Sequence, residues 1–146
     1  MRSASVSDIA QLVDFVLAEA RDAEDRQLDR TAVTQAVTAA VANPSLARYW
    51  VLADRQDHLL GAVAVTTEWS DWQNAPYWWL QFVYLVPEAR GHGLLQVLLH
   101  EVEAAARSER VPELRLYVHP GNARAIRAYD KLGFSDIPYR FMRKHL

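Results

Sequence analysis

Not one of the 146 residues is cysteine, which excludes disulfides, zinc–thiolate centres and thiol nucleophiles. Glycine is scarce at five residues, so two glycines set close together mark a place where the backbone needs unusual freedom. No apolar run approaches the roughly 18–20 residues of a membrane-spanning helix, and Met1 to Asp8 contains no long apolar region. A soluble, cytoplasmic protein without a membrane partner is therefore expected. Neither sign of charge dominates: 16 Lys and Arg stand against 18 Asp and Glu, a balance that argues against a nucleic-acid surface. The five histidines form no ligand cluster, and no metal is expected.

What is present suits one domain over residues 1–146, with 51% hydrophobic residues to build its core. Ser7 or Asp8 caps a first helix carrying Ile9, Leu12, Val13 and Val16 on one stripe, and Arg21 to Arg30 reads as a solvated connection. Thr31 to Val41 reads as a second helix. Leu46 to Ala53 and Leu59 to Thr67 form a hairpin around Asp54 to His58. After an aromatic, turn-rich stretch from Glu68 to Pro76, Tyr77 to Val86 is a third strand. A helix from about Gly93 to Ser108, a strand through Leu114, Leu116 and Val118, a short helix after Asn122 and a last strand from Ile137 to Lys144 complete the order. This order predicts an α/β fold with a mixed sheet.

Two segments carry chemistry. In the first, the apolar strand Tyr77 to Val86 breaks at Pro87, and Arg90-Gly-His-Gly-Leu-Leu95 opens an amphipathic helix. Without Cβ atoms at Gly91 and Gly93, a bound anion can approach the free N–H groups of the helix start closely, and a diphosphate is the natural guest. Arg90 and His92 lie within reach of such a guest. The second segment, Asn122-Ala-Arg-Ala-Ile-Arg-Ala-Tyr-Asp-Lys-Leu-Gly-Phe134, reads as a helix capped by Asn122 and stopped at Gly133.

In this order and spacing the two segments resemble the GCN5-related N-acetyltransferases (GNAT). Arg90 and Gly93 match that family's Arg/Gln-x-x-Gly-x-Gly/Ala signature, with Leu95 in place of the final small residue. Asn122, Ala125, Tyr129, Lys131, Gly133 and Phe134 match its second helix. The resemblance implies a single-domain, mostly antiparallel sheet whose two motif strands splay into a V-shaped slot, with acetyl-CoA as co-substrate. It places Tyr84, Leu85 and Val86 at the slot, where backbone N–H groups would hold the oxyanion of acyl transfer. Arg90, Gly91, His92, Gly93, Leu94 and Leu95 would cradle the diphosphate. Asn122 would touch the pantetheine arm, and Lys131 the nucleotide phosphate.

Acetylating an amine requires a neutral nucleophile, oxyanion stabilisation and a proton for the departing thiolate. An alkylammonium near pKa 10.4 is harder to prepare than a thiolate of about 8.5 is to protonate, so the base matters most. The resemblance puts Tyr129 beside the sulfur as acid. The motif strand is nearest in look to polyamine and thialysine acetyltransferases, in which a glutamate stands at the position of Gln81. Glu68 and Asp71 are then the nearest candidates for the base, acting directly or through water held by Gln81, with Glu68 preferred. Trp69, Asp71 and Trp72 lie within an aromatic-rich stretch suited to an ammonium group. The expected reaction is acetyl transfer by direct attack to a small-molecule primary amine, polyamine or lysine-like, within a homodimer. A non-catalytic CoA-binding regulatory module and an acetyltransferase of protein or peptide amines remain as alternatives.

Overall fold

The computed structural model describes residues 1–146. Five strands form one sheet in the order β1 (Arg2–Ser3), β2 (Arg48–Ala53), β3 (Leu59–Ser70), β4 (Ala75–Leu85) and β5 (Leu114–Leu116). Neighbours are antiparallel except β4 and β5, which run parallel. Helices α1 (Ile9–Glu24) and α2 (Arg30–Ala42) cover one face. On the other lie α3 (Leu94–Ser108) and α4 (Ala123–Lys131).

Each face has its own core because strand side chains alternate. Leu12, Val13 and Phe15 of α1 and Val33 and Val37 of α2 pack on Val51, Ala62, Ala64, Phe82 and Tyr84. On the reverse face, Leu98, Leu99 and Val102 of α3 pack on Val63, Val65, Trp78 and Leu80. Between Ala64 and Val65 the register with β4 shifts, leaving Gln81 as the extra residue of a bulge.

The chain start is pinned electrostatically. The buried Asp8 carboxylate accepts from the Ser5 N–H at 2.7 Å and from both Arg2 terminal nitrogens at 2.7 and 2.9 Å. These donors hold its pKa down at about 2 and tie β1 to the first turn of α1.

Three sequence expectations need correction. Arg21 to Glu24 are helical, because alanine-rich α1 propagates until Asp25 turns left-handed at φ 51°. Glu68 to Ser70 belong to β3, since their pairing with Ala75 to Tyr77 continues the ladder and shrinks the turn to Asp71 through Asn74. The stretch from Ile137 to Lys144 forms no strand and is exposed throughout. A three-residue β5 offers too short a ladder, and Pro138 removes a donor.

Candidate active site

β4 and β5 pair only at Trp78 with Leu114, Trp79 with Arg115 and Leu80 with Leu116. Beyond this point the strands separate into a slot, as expected. The N–H of Val86 donates to the Leu60 carbonyl at 2.9 Å, which fixes the ladder's alternation. Tyr84 and Val86 therefore turn their N–H groups toward β3, and those of Val83 and Leu85 face the slot. Of the three residues foreseen around the oxyanion, Leu85 alone offers its N–H there; Tyr84 lines the cavity and Val86 does not.

A cavity of about 730 Å³ fills this slot and runs on over the starts of α3 and α4. At one end Gly91 and Gly93 adopt φ of 85° and 77°, and a Cβ at either would point into open space. No backbone carbonyl accepts from the N–H groups of Gly91, His92 or Gly93, and those of Leu94 and Leu95 lie in the free first turn of α3. Such a run of free amides at the positive end of a helix dipole fits an anion without needing a charged side chain. Arg124, Arg127 and Lys131 of α4 add positive charge along the same cavity. Leu95 lines the cavity without closing it. His92 is exposed and does not line the cavity.

Arg90 lines the cavity, yet its guanidinium is already engaged. Nε donates to the Leu85 carbonyl at 2.8 Å, an Nη donates to Asp22 at 3.0 Å, and the group lies 5.2 Å from the Tyr84 ring centre. It fastens the end of α1 to the end of β4 and holds the Asp22 carboxylate below its ordinary pKa. Asn122 caps α4 by accepting from the Ala125 N–H at 3.1 Å, which leaves its amide NH2 free toward the cavity it lines.

The other end of the cavity is acidic and phenolic. Tyr129 projects from α4 beside Phe134, with ring centres 5.6 Å apart. Burial and the negative charge of Glu19 push its phenol up to about 12. Glu19, from α1, is half-buried and makes neither a hydrogen bond nor an ion pair, while Asp22 is paired with Arg90. Burial first, then the charges of Glu24 and Asp22, raise the Glu19 carboxylate above its ordinary value.

The structure does not bring Glu68, Trp69, Asp71, Trp72 or Gln81 into this cavity. Glu68 sits opposite Tyr77 in the ladder, seven residues or roughly 23 Å along β4 from Tyr84. Its carboxylate accepts from the Trp79 indole at 2.5 Å. Trp69 and Trp72 lie at the hairpin tip, 63% and 84% exposed, and Asp71 is in the turn between them. Gln81 is the exposed residue of the bulge. Conversely, Glu19, Tyr117 and His119 line the cavity without having been foreseen. Glu19 had a legible signal: it falls seven residues after Leu12 and three after Val16, a carboxylate on the stripe that α1 turns inward.

A parallel β4/β5 pair opening over a glycine-paired helix start, with a half-buried tyrosine on the next helix, defines an acyl-transfer fold. The model of the acetyltransferase (GNAT) family matches residues 10–134, and the chain belongs to that family. No curated protein matches the sequence. Among solved structures, a possible acetyltransferase from Clostridium difficile 630 is 27% identical, with a TM-score of 0.92 over 99% of this chain and 95% of its own. A predicted acetyltransferase from Clostridium acetobutylicum, solved with acetyl-CoA, is 19% identical, with a TM-score of 0.80 over 98% and 94%. The ribosomal-protein-alanine N-acetyltransferase of Brucella melitensis biovar Abortus 2308 is 12% identical, with a TM-score of 0.78 over 98% and 97%. The last two similarities concern the fold alone.

Proposed function

We propose that this chain, as a single domain, moves the acetyl group of acetyl-CoA to a primary amine of a small molecule, polyamine or lysine-like, by direct attack in a ternary complex. One observation carries the reading: a single cavity joins the free-amide cradle at Gly91 to Leu95 to the slot containing Tyr129. Acetyl-CoA supplies an activated thioester, and the chain supplies placement and protons.

The amides of Gly91, His92, Gly93, Leu94 and Leu95 receive the diphosphate, Lys131 adds charge toward the nucleotide, and Asn122 presents its free amide to the pantetheine arm. Arg90 acts on this site through the Leu85 carbonyl, which it holds at 2.8 Å. The N–H of Leu85 meets the negative charge that develops on the carbonyl oxygen during attack. Tyr129 stays protonated across the physiological range, its phenol at about 12, and gives its hydrogen to sulfur. A homodimer belongs to the same reading, supported by the exposed Tyr139, Phe141 and Met142 of the C-terminal segment.

The test is acetyl-CoA-dependent thiol release across polyamines, lysine analogues, aminoglycosides, arylamines and N-terminal peptides, with a no-amine control. Turnover with polyamines or lysine analogues is expected. Turnover confined to peptides would replace the small-molecule acceptor with a protein one. CoA binding without turnover on any amine would favour a regulatory module.

A further inference from the structure

We propose that Glu19 is the catalytic base of the transfer and that the acceptor enters as an alkylammonium ion, seated between Glu19 and the slot. The proposal rests on the N-acetyltransferase reading and deepens it. Three carboxylates line the cavity, all from the end of α1, and only one has no partner. Asp22 is bound to Arg90 at 3.0 Å, and Glu24 lies 3.5 Å from Arg26. Glu19 makes no hydrogen bond, is half-buried, and shares the cavity wall with Tyr129 and Tyr84.

The cavity is polarised as a consequence. Cationic side chains and free amides occupy the α3 and α4 end, where they suit phosphates, while the α1 end carries the uncompensated negative charge. An ammonium group entering there neutralises a carboxylate that the protein leaves bare. The charges that reach Glu19 are those of Glu24 and Asp22 on its own helix, and its own charge reaches the Tyr129 phenol on α4; Arg90, His119 and Lys131 are the other titratable side chains of the same cavity on the elements that follow β4 and β5. Partial burial and like charge bring the Glu19 proton affinity toward that of an amine, which eases the uphill proton transfer.

The step balances. Glu19 takes one proton from R–NH3⁺, and the freed lone pair of nitrogen forms the C–N bond at the thioester carbonyl carbon. The C–S bond breaks, and its electron pair leaves on sulfur. Tyr129 passes its hydroxyl proton to sulfur and recovers one from the new amide nitrogen. Glu19 then returns its proton to solvent, so the sum is amide, thiol and one released proton.

The test compares wild type with Glu19→Gln on two acceptors. One is the alkyl amine giving the fastest turnover in the panel, and the other is hydroxylamine, which is already neutral near pH 7 and needs no base. Glu19→Gln is expected to lose about 10²–10⁴-fold in kcat/KM on the alkyl amine. On hydroxylamine it should stay within a few-fold of wild type. It should also lower the pH at which Tyr129 ionises, read by ultraviolet difference titration against Tyr129→Phe. Equal losses on both acceptors, or no loss on the alkyl amine, would overturn the base while leaving the transferase intact. Failure of wild type to acetylate either acceptor would overturn both readings.

Discussion

Arg90 binds Asp22 at 3.0 Å while its Nε holds the Leu85 carbonyl at 2.8 Å, so one side chain couples the end of α1 to the strand end that borders the slot. Glu19 lies one helical turn before Asp22, on the stretch of α1 that this brace fastens. Replacing Arg90 with Ala removes a largely surface ion pair, for which a stability loss of about 1 kcal/mol is expected in urea denaturation. The functional loss should be larger, about tenfold in kcat/KM, because misplacement of catalytic groups is costly. A variant with wild-type kinetics would show that the brace does not position the site.

Gly61 pairs with Leu85 at the end of β4, where the neighbouring strand leaves no room for a side chain. A Cβ there would lie 2.5 Å from the Tyr84 carbonyl oxygen and 2.5 Å from Leu85 Cδ2. Gly61→Ala should therefore cost about 1–3 kcal/mol by overpacking, measured by chemical denaturation. An unchanged midpoint would contradict this close approach.

At the cradle, Gly93→Val should spare the fold more than the ligand. Its φ of 77° penalises any branched residue by about 1–2 kcal/mol, while its Cβ would face open cavity. The KM for acetyl-CoA should rise about tenfold or more, with a smaller change in KM for the amine. Calorimetric titration with CoA checks the same point without turnover.

Much of this arrangement was legible in the chain because local rules carry it. Gly91 and Gly93 announced positive φ, Asn122 announced a cap, and Leu98, Leu99 and Val102 announced a buried stripe; each is decided within one turn of helix. The candidate base was not legible in the same way. Glu68 and Tyr84 are near in sequence, yet an extended ladder carries them roughly 23 Å apart along β4. Glu19 and Tyr129 are 110 residues apart in sequence and line one cavity only because α1 and α4, on opposite faces of the sheet, both reach the splayed strand ends. The tail misled for another reason: alternation in Ile137 to Lys144 proposes a strand, but no adequate edge is there to receive it.

Stability in acid should depend on Asp8. Its carboxyl falls from an ordinary 3.8 to about 2 in the folded protein, chiefly through the Arg2 hydrogen bonds. A group with a depressed folded pKa stabilises the fold above its unfolded value and loses that contribution as pH falls through the folded one. For Asp8 the window runs from 3.8 down to about 2. Asp8→Asn should lose about 2 kcal/mol at neutral pH and show a flatter stability profile across that window. Parallel profiles for the two proteins would contradict the assignment.

The most direct test of the central claim is mass spectrometry of the amine after incubation with acetyl-CoA, using wild type and Tyr129→Phe. The account predicts one acetyl group gained per thiol released by wild type, and a fall of about 10²-fold in kcat for the variant with the KM for acetyl-CoA little changed. The wild-type rate should show no alkaline decline from the phenol until pH nears its value of about 12. CoA bound tightly in the cavity with no acetylated amine, or a Tyr129→Phe variant as fast as wild type, would contradict it.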